Sequence, residues 1–266
     1  MPANDFGGLS DLLETVMRKA GELARETSRR PFKRWTKGAD QSPVTEADIV
    51  VNEFLHGQLT ELVNGAGWLS EETQEPPEYG LPLNWIVDPI DGTRAYISGR
   101  ADWSISVALT EYGRPVAGAL YAPVTNEMFL VSRGGGAKLN RVSIMTTSGE
   151  TLDGARLAGP KRYLNRLSVL RPGILAQPKV HSLALRIARV AQGTLDAAIA
   201  SSGSHDWDLA AADLLVHEAG GVLTDFLGRP LKYNEPQSAH GALIAAGRTR
   251  HGALVGLVRD RETEFA

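Results

Sequence analysis

Four groups of carboxylates lie where apolar segments of the sequence begin or end. Aspartate and glutamate beside apolar residues cost free energy unless a cation or a hydrogen-bond donor compensates their charge. Taken singly, each acid has an ordinary explanation as a helix cap, a solvated side chain or part of a turn. Taken together, they are the oxygen ligands that a hard divalent cation such as Mg²⁺ prefers. The acids are Asp48 in VTEAD, Glu71 and Glu72 in GWLSEET, Asp88 and Asp91 in VDPIDGT, and Asp206 and Asp208 in SHDWDLAA.

The segment VDPIDGT combines two features that phosphoryl transfer requires. Pro89 should end the preceding strand, so that Asp88 and Asp91 can turn toward one point. Gly92 and Thr93 then open a run of free backbone amides, which suits an anion. Metal-binding acids beside a phosphate-binding turn are the parts of a two-metal phosphoryl-transfer site.

Composition excludes several other kinds of chemistry. The 266 residues include no cysteine, which rules out disulfides, thiolate metal sites and cysteine nucleophiles. A net charge of −3 gives no global attraction to nucleic acid or to a membrane surface. The start of the chain, MPANDFGGLSDLLE, carries acids where a signal peptide needs positive charge. No apolar run approaches the roughly 18–20 residues of a membrane span. We predict a cytoplasmic protein without a nucleic-acid polymer or membrane partner.

Hydrophobic spacing predicts helices first and strands afterwards. Residues 9–28 and 45–63 have helical periodicity, with Ser10 or Asp11 as N-cap of the first helix and Thr45 as N-cap of the second. An antiparallel meander with a hairpin at EYGRPV should follow. The second half alternates strand-like and helix-like segments. We therefore expect an α+β domain over residues 1–150, which carries most of the acids, and an α/β domain over residues 151–266.

These motifs resemble the inositol monophosphatase family of Mg²⁺-dependent, lithium-sensitive phosphatases. The resemblance rests on WIVDPIDGT, on LSEE upstream of it and on WDLAAADLLVHEAGG downstream. SPVTEAD preceded by Lys37, and the segment GRPVAGALYAPVTNEMFLVSRGGGAKLN, also resemble family segments. The resemblance implies a layered α-β-α-β-α sandwich of the inositol monophosphatase and fructose-1,6-bisphosphatase type. It also implies a small phosphorylated metabolite as substrate and leaves a homodimer open.

The resemblance assigns roles to individual residues. It implies a first Mg²⁺ on Glu71, Asp88 and the Ile90 carbonyl, and a second on Asp88, Asp91 and Asp208. Asp48 and Thr93 would orient the attacking water, with a third, weaker ion at Glu71, and Gly92 and Thr93 would offer amides to the phosphate. Glu72 would lie behind the ligands, and Asp206 is left out of the set.

Two other features of the sequence have alternative explanations. His205 could act as a general acid or could be a hydrogen-bonded histidine beside the metal motif. The five basic residues between Arg29 and Lys37 could form a solvated face or steer anions toward Lys37.

Two features favour a nucleotide bisphosphate as the substrate. Inositol-specific members of the family carry an acid shortly before the WD motif, whereas AIASSGSH has no carboxylate and places Ala200 or Ser201 there. Arg94 follows DGT, where members that hydrolyse 3′-phosphoadenosine 5′-phosphate often have a basic residue. Arg94, Lys161 and Arg162 are the candidate contacts for a second phosphate. The hypothesis is a 3′(2′),5′-bisphosphate nucleotidase that resembles the bacterial enzymes. The alternatives are an inositol-1-monophosphatase, a histidinol-phosphate phosphatase, or a catalytically silent metal- and phosphate-binding regulatory module.

Overall fold

The computed structural model describes residues 7–38, 41–73 and 79–260. Its helices are α1 (Gly7–Ser28), α2 (Glu46–Leu62), α3 (Thr93–Ile97), α4 (Lys161–Leu170), α5 (Leu183–Ala191), α6 (Asp206–Glu218) and α7 (Arg248–Arg259). Its strands are β1 (Arg34–Lys37), β2 (Ser42–Thr45), β3 (Gly67–Ser70), β4 (Leu83–Asp91), β5 (Ser104–Glu111), β6 (Arg114–Ala122), β7 (Glu127–Ser132), β8 (Gly136–Leu139), β9 (Val142–Ser143), β10 (Arg156–Ala158), β11 (Leu175–Ala176), β12 (Ala197–Ala200), β13 (Ser204–His205), β14 (Gly221–Asp225), β15 (Ala239–His240) and β16 (Leu243–Gly247).

Helices and sheets alternate in five layers, as the sequence predicted. Helices α1 and α2 cover one face of a seven-stranded sheet through a core that includes Leu13, Leu55 and Trp85. Helices α5 and α6 fill the space between that sheet and a five-stranded sheet. Helices α4 and α7 cover the outer face of the five-stranded sheet through Leu167 and Leu254. The central helices thus face both sheets, and α6 is apolar on nearly every side for this reason.

The two N-terminal helices follow from their apolar spacing, but only one start was predicted correctly. Thr45 caps α2 as expected, since its side chain accepts a hydrogen bond from the Ala47 amide. Helix α1 already begins at Gly7, so the prediction of Ser10 or Asp11 as its cap was wrong. Residues that favour caps are also tolerated in a first turn, which makes this signal ambiguous. The predicted absence of a signal peptide depends partly on residues 1–6, which lie outside the described residues.

The seven-stranded sheet has the order β3-β4-β5-β6-β7-β8-β9. All neighbours from β4 onward pair antiparallel, as predicted, but β3 pairs parallel to β4. Hydrophobic alternation does not distinguish the two directions, because both give the same period of two. The predicted hairpin is confirmed. Glu111 pairs with Arg114, and Tyr112 and Gly113 between them have positive φ angles of 48° and 73°.

Strand β4 continues through Pro89 to Asp91, so the prediction that Pro89 ends it was wrong. Instead, the ladder with β5 is irregular there, with Asp88 opposite Ser106 and Asp91 opposite Ser104. Three steps on β4 therefore match two steps on β5, which is a bulge of one extra residue. Residues three apart in a regular strand point to opposite faces. The bulge removes that difference, and Asp88 and Asp91 point into one site.

The second half contains the five-stranded sheet in the order β11-β10-β12-β16-β14. Strand β10 pairs parallel to β11 and β12, whereas β16 pairs antiparallel to β12 and β14. The sequence analysis did not identify α4 and α7. The division at residue 150 remains a prediction, since both sheets pack against the same central helices. In the described part of the chain, no helix is both long and apolar enough to cross a membrane.

Candidate active site

Three aspartates from two elements converge at the carboxyl end of β4. Asp88 and Asp91 come from β4, and Asp208 comes from the first turn of α6. One carboxylate oxygen of each lies within 4.8 Å of the others. Asp88 and Asp91 are buried, with 1% and 5% of the residue surface exposed to solvent. The structure thus brings Asp208 together with two acids that lie far from it in the sequence.

Asp91 is held by the start of α5. Its Oδ2 accepts hydrogen bonds from Ser182 Oγ at 2.6 Å and from the Ala184 amide at 2.7 Å. Its Oδ1 accepts from the Leu183 amide at 3.1 Å. These amides belong to the first turn of α5, where the helix dipole also stabilises a negative charge. The carboxylate is therefore fixed by the second half of the chain, although it belongs to the first.

The three acids repel one another. Burial raises the pKa of Asp88 well above its usual range, and the charges of Glu71, Asp91 and Asp208 raise it further. Burial also raises the pKa of Asp208 well above its usual range, with Asp91 as the next cause. For Asp91, burial raises the pKa, while the hydrogen bonds from Ser182 and α5 oppose the shift. Protons or cations must offset this charge in the folded protein.

Glu71 and Glu72 follow β3 and meet a lysine from the N-terminal region. Lys37 Nζ lies 3.3 Å from Glu71 Oε1 and 2.6 Å from Glu72 Oε1, and it donates to the Glu71 carbonyl at 2.9 Å. Glu71 lines the same cavity as the three aspartates, whereas Glu72 does not appear in its described lining. Lys37 is therefore the partner of both glutamates, and the remaining basic residues of the run lie elsewhere, with Arg30 paired to Glu46.

Asp48 lies in the first turn of α2 and does not appear in the described lining of the cavity, but its charge acts on Asp88. Its Oδ2 accepts from the Thr45 amide at 2.7 Å and from Thr45 Oγ1 at 2.5 Å. Its Oδ1 is buried and has no hydrogen-bond partner among the described residues. Burial raises the pKa of Asp48 to about 7, against the hydrogen bonds from Thr45. An acceptor that is buried without a donor costs free energy, and a water molecule or a cation would satisfy it.

The turn after β4 has the shape of an anion cradle. Gly92 has a φ of 92°, a conformation that favours glycine, and it precedes the short helix α3. A Cβ at this position would lie 3.1 Å from the Ser182 backbone nitrogen and 3.4 Å from the Asp102 carbonyl oxygen, so space also requires glycine. Thr93 Oγ1 donates to the Ile90 carbonyl at 3.1 Å. The hydroxyl oxygen of Thr93 can therefore still accept a hydrogen bond from a bound molecule.

A cavity of about 220 Å³ is lined by Glu71, by the three aspartates and by the turn at Gly92 and Thr93. Besides the acids and the turn, its lining contains three groups that can be cationic: Arg94, Lys179 and His181. Arg94 is exposed, and Lys37 rather than Arg94 pairs with Glu71 and Glu72. Lys161 and Arg162 begin α4, do not appear in the described lining, and Arg162 donates to the Tyr163 hydroxyl. Their predicted contact with a second phosphate stays a prediction.

Two residues of the site were missed by the sequence analysis. Arg186 is largely buried, and its charge acts on both Asp91 and Asp208. Its guanidinium donates to the Ile199 carbonyl at 3.2 Å, while its Nε is buried without a hydrogen-bond partner among the described residues. His181 lines the cavity and contacts Asp102. Both residues lie in HSLALRIARVAQG, whose helical spacing was recognised but whose position beside the acids was not. The adjacent Ser182 is a helix-cap residue and could have indicated a helix start facing an acid.

His205 and Asp206, which the sequence analysis did not assign to the metal site, contact other groups. The His205 ring stacks on Trp207 with centroids 4.6 Å apart, and its amide donates to Asp208 Oδ2 at 2.6 Å. Asp206 is fully buried and accepts from His240 Nε2 at 2.7 Å and from the Asn234 amide at 2.7 Å. His205 thus positions Asp208 through its backbone. Asp206 belongs to a separate polar contact, which agrees with leaving it out of the metal set.

The residues present fit a divalent cation. The buried carboxylates of Asp88 and Asp208 converge, and the charges of neighbouring acids raise the pKa of each, which a bound cation would offset. The Oδ1 of Asp48 also has no hydrogen-bond partner among the described residues. All of the donors are oxygens, which suits Mg²⁺ rather than a soft metal. The described chain can supply Asp88, Asp91, Asp208, Glu71 and the Ile90 carbonyl.

Comparison with known proteins gives a consistent result. The chain is 31% identical over 226 residues to an inositol-1-monophosphatase of Mesorhizobium japonicum, with 81% of this chain and 82% of that protein covered. It is 30% identical over 251 residues to the 3′(2′),5′-bisphosphate nucleotidase CysQ of Aggregatibacter actinomycetemcomitans, with 86% and 88% covered. The crystal structure of the extragenic suppressor protein suhB from Bartonella henselae superposes with a TM-score of 0.84 at 25% identity, covering 96% of this chain and 99% of that one. Residues 9–263 match the description of the inositol monophosphatase family, and the chain belongs to that family.

Proposed function

We propose that the protein is a Mg²⁺-dependent phosphatase that hydrolyses a small phosphate monoester by attack of water. The observation that carries this proposal is the cluster of Asp88, Asp91 and Asp208 beside the Gly92–Thr93 turn. Cations bound by the acids would neutralise phosphoryl charge and lower the pKa of the attacking water. Without the acids, the turn would bind an anion but would have no means of activating water.

The residues of the site have different tasks in the proposed reaction. The free amides at Gly92 and Thr93 bind the phosphoryl oxygens. The Thr93 hydroxyl donates to Ile90, so its oxygen can accept a hydrogen bond from the attacking water and orient it. Asp48 Oδ1 is an unused acceptor and would orient the same water. Glu71 completes the cation set and is held in place by Lys37, with a third, weaker ion at Glu71 as the finer proposal.

A doubly phosphorylated nucleotide such as 3′-phosphoadenosine 5′-phosphate is the substrate that we propose. Three cationic side chains support it, since Arg94 and Lys179 line the cavity and Arg186 lies behind Asp91 and Asp208. Residues 199–205 include no carboxylate that could grip the hydroxyls of an inositol ring. The similarity to the nucleotidase CysQ agrees with this choice. The similarity to an inositol-1-monophosphatase keeps that activity as the alternative.

Phosphate release from the purified protein tests the proposal. With Mg²⁺ present, inorganic phosphate should appear from 3′-phosphoadenosine 5′-phosphate, and EDTA should abolish it. A panel with inositol 1-phosphate and histidinol phosphate would rank the substrates by kcat/KM. A catalytically silent regulatory module would bind Mg²⁺ and phosphate but would release no phosphate from any ester, and that result would refute the proposed activity.

Lithium inhibition is a finer part of the proposal. The expected site of competition is the second cation position, near Asp91 and Asp208. A lithium series at fixed Mg²⁺ should lower the rate, and raising the Mg²⁺ concentration should change the inhibition. A rate that is indifferent to lithium would mean that these two acids form a site of different geometry or charge from the one proposed.

A further inference from the structure

His181 lines the active-site cavity and forms a pair with Asp102. Neither residue has a role in the reaction proposed above. Asp102 Oδ2 lies 2.6 Å from His181 Nδ1 and accepts from the His181 amide at 2.9 Å. Arg100 Nε donates to the other carboxylate oxygen at 2.9 Å, and the Ser182 amide donates to the Asp102 carbonyl at 3.1 Å. Three of these contacts fix the loop before β5 against the segment before α5, and the Arg100 contact holds Asp102 within its own loop.

The hydrogen bonding determines the tautomer of His181. A carboxylate only accepts, so Nδ1 carries the proton in this contact. Burial works against the charge of Asp102, but the hydrogen bonds from the His181 ring and amide outweigh it and lower the pKa of Asp102 to about 2. Asp102 is therefore ionised at neutral pH. Nε2 is across the imidazole from Nδ1 and is not used in this contact, and His181 is among the residues that line the cavity.

The pair lies directly against the phosphate turn. A Cβ at Gly92 would meet the Ser182 backbone and the Asp102 carbonyl within 3.4 Å, so the backbone on both sides of the pair packs on Gly92. Residues 182–184, which follow His181, hold Asp91. By contrast, the groups proposed to orient the water, Asp48 and Thr93, belong to α2 and α3. In phosphoryl transfer, the leaving oxygen departs roughly in line with the attacking one.

We propose, on the basis of the phosphatase activity above, that His181 is the general acid that protonates the leaving oxygen of the ester, with Asp102 as its positioning residue. Water forms a new bond to phosphorus while the bond from phosphorus to the ester oxygen breaks. The cationic imidazole gives its Nε2 proton to that oxygen, which leaves as an alcohol. His181 is then neutral, with its remaining proton on Nδ1, and takes a new proton from solvent.

The charges around His181 come from several elements. Asp102 approaches from the loop before β5 and is itself bonded to Arg100. The other charged groups that line the same cavity are Lys179, Arg94, Glu71, Asp88, Asp91 and Asp208. Because groups of both charge signs surround His181, its role is tested by varying the leaving group of the ester rather than the pH.

The choice of ester separates a proton donor from a structural clamp. Glycerol 2-phosphate has an alkoxide leaving group that needs a proton, whereas 4-nitrophenyl phosphate releases a stabilised anion that does not. In His181→Asn, the amide nitrogen can replace Nδ1 and keep the contact with Asp102, but no group replaces Nε2. We expect kcat for glycerol 2-phosphate to fall by about 10²–10⁴-fold, the usual contribution of general acid catalysis, and kcat for 4-nitrophenyl phosphate to change little.

Controls make each outcome decisive. His217→Asn, an exposed histidine at the end of α6, should leave both rates unchanged. Asp102→Asn should show the same leaving-group selectivity as His181→Asn, with a smaller loss. Equal losses on both esters would refute the proposal and make the pair a structural clamp. If His181→Asn failed to fold, the wild-type rates over a series of leaving alcohols would decide, since a steep dependence on their acidity would exclude a proton donor. A wild-type protein that released phosphate from neither ester and not from 3′-phosphoadenosine 5′-phosphate would instead refute the phosphatase activity itself.

Discussion

The helices α2 and α6 begin in the same way but deliver their aspartates to different surroundings. In each helix the aspartate three residues after the cap bonds back to the cap amide, at 2.7 Å from Thr45 to Asp48 and at 2.6 Å from His205 to Asp208. Each arrangement leaves the other carboxylate oxygen directed elsewhere. Two local motifs from distant parts of the chain thus place two preoriented carboxylates around one site.

The difference lies in what surrounds the second oxygen. Asp48 receives an additional hydrogen bond from the Thr45 hydroxyl, and its nearest like charges are Glu72 and Glu71. One carboxylate oxygen of Asp208 lies within 4.8 Å of oxygens of Asp88 and Asp91, and the charge of Arg186 also acts on Asp208. We therefore propose that the neighbours of a capping carboxylate decide whether it acts as a cation ligand, as for Asp208, or as an acceptor for water, as for Asp48. The capping motif alone does not decide between these roles.

The largest expected effect comes from removing the charge of Asp208. In Asp208→Asn, the shape is kept but one carboxylate of the cation cluster is lost, so activity should fall by about 10³-fold or more, corresponding to several kcal/mol of transition-state stabilisation. The measurement is kcat/KM with saturating Mg²⁺. Asp11→Asn on the exposed side of α1 is the matched control and should retain full activity.

The same variant also has a structural consequence. Asp91 and Glu71 raise the pKa of Asp208, so neutralising this residue relieves repulsion in the metal-free protein. Its melting temperature in EDTA should therefore rise above that of the wild type, while Mg²⁺ should stabilise it less. A variant with near-normal turnover would refute the assignment of Asp208 as a cation ligand.

Asp48 should matter less than Asp208, because it is proposed to act on water rather than on the cation. In Asp48→Asn we expect a loss of about 10²-fold in kcat, at the lower end of the usual range for a positioned acid–base group. The Mg²⁺ concentration for half-maximal activity should stay close to that of the wild type. Equal losses and equal shifts in Mg²⁺ dependence for the two variants would remove the functional difference between the two helix starts.

The pH dependence of stability gives a second view of Asp48. Its pKa in the folded protein is about 7 and its ordinary value is 3.8, so the folded state binds the proton more tightly than the unfolded state. The stability from this group is present below about pH 4 and is lost as the pH rises toward about 7. In EDTA, the melting temperature of the wild type should fall over this window. The fall should be smaller in Asp48→Asn, and an identical fall would contradict the raised pKa.

A local signal in the sequence predicted the start of α2, since Thr45 and Asp48 are three residues apart and bond to each other. The sequence analysis assigned no cap to α6, although His205 and Asp208 have the same spacing. The structure also brings Asp88, Asp91 and Asp208 together, as expected if several buried carboxylates share one compensating charge. The layered fold, by contrast, came from the family resemblance, since periodicity gives elements but not their order in a sheet.

Long-range features could not be predicted in the same way. The bulge in β4 depends on the register against β5, and Pro89 alone suggested an end to the strand instead. Arg186 and His181 reach the site only because α5 docks its first turn on Asp91, a contact over 91 residues of sequence. The histidine singled out from the sequence was His205, which lies next to an acid in the chain. The one that lines the cavity is His181.

Arg94 provides a smaller effect that depends on the substrate. Arg94→Ala should lower kcat/KM for 3′-phosphoadenosine 5′-phosphate by about ten- to a hundredfold, the value of a charged hydrogen bond of about 1.5–3 kcal/mol. The loss toward a small monophosphate should be much less. Because Lys37 rather than Arg94 pairs with Glu71 and Glu72, the melting temperature should hardly change. Arg29→Ala is the control, and equal losses on both substrates would remove the main support for a bisphosphate.

The smallest expected effect tests the hydroxyl that distinguishes the start of α2 from that of α6. Thr45→Ala removes the oxygen that accepts from the Ala47 amide and donates to Asp48, so α2 loses a cap worth about 0.5–2 kcal/mol. A loss of 1 kcal/mol would lower the melting temperature by about 2–4 °C in a chain of this size. Thr45→Ser keeps the hydroxyl and should restore both stability and rate. Thr60→Ala is the control, since the Thr60 hydroxyl bonds to carbonyls within α2, and it should cost no stability.

Thr45→Ala should also change the titration of Asp48. In the wild type, the hydrogen bond from the Thr45 hydroxyl lowers the pKa of Asp48, so its removal should raise that pKa further. Stability in EDTA should then fall more steeply as the pH rises. A variant that loses the cap energy without this steeper fall would show that Thr45 holds the helix but does not tune the carboxylate.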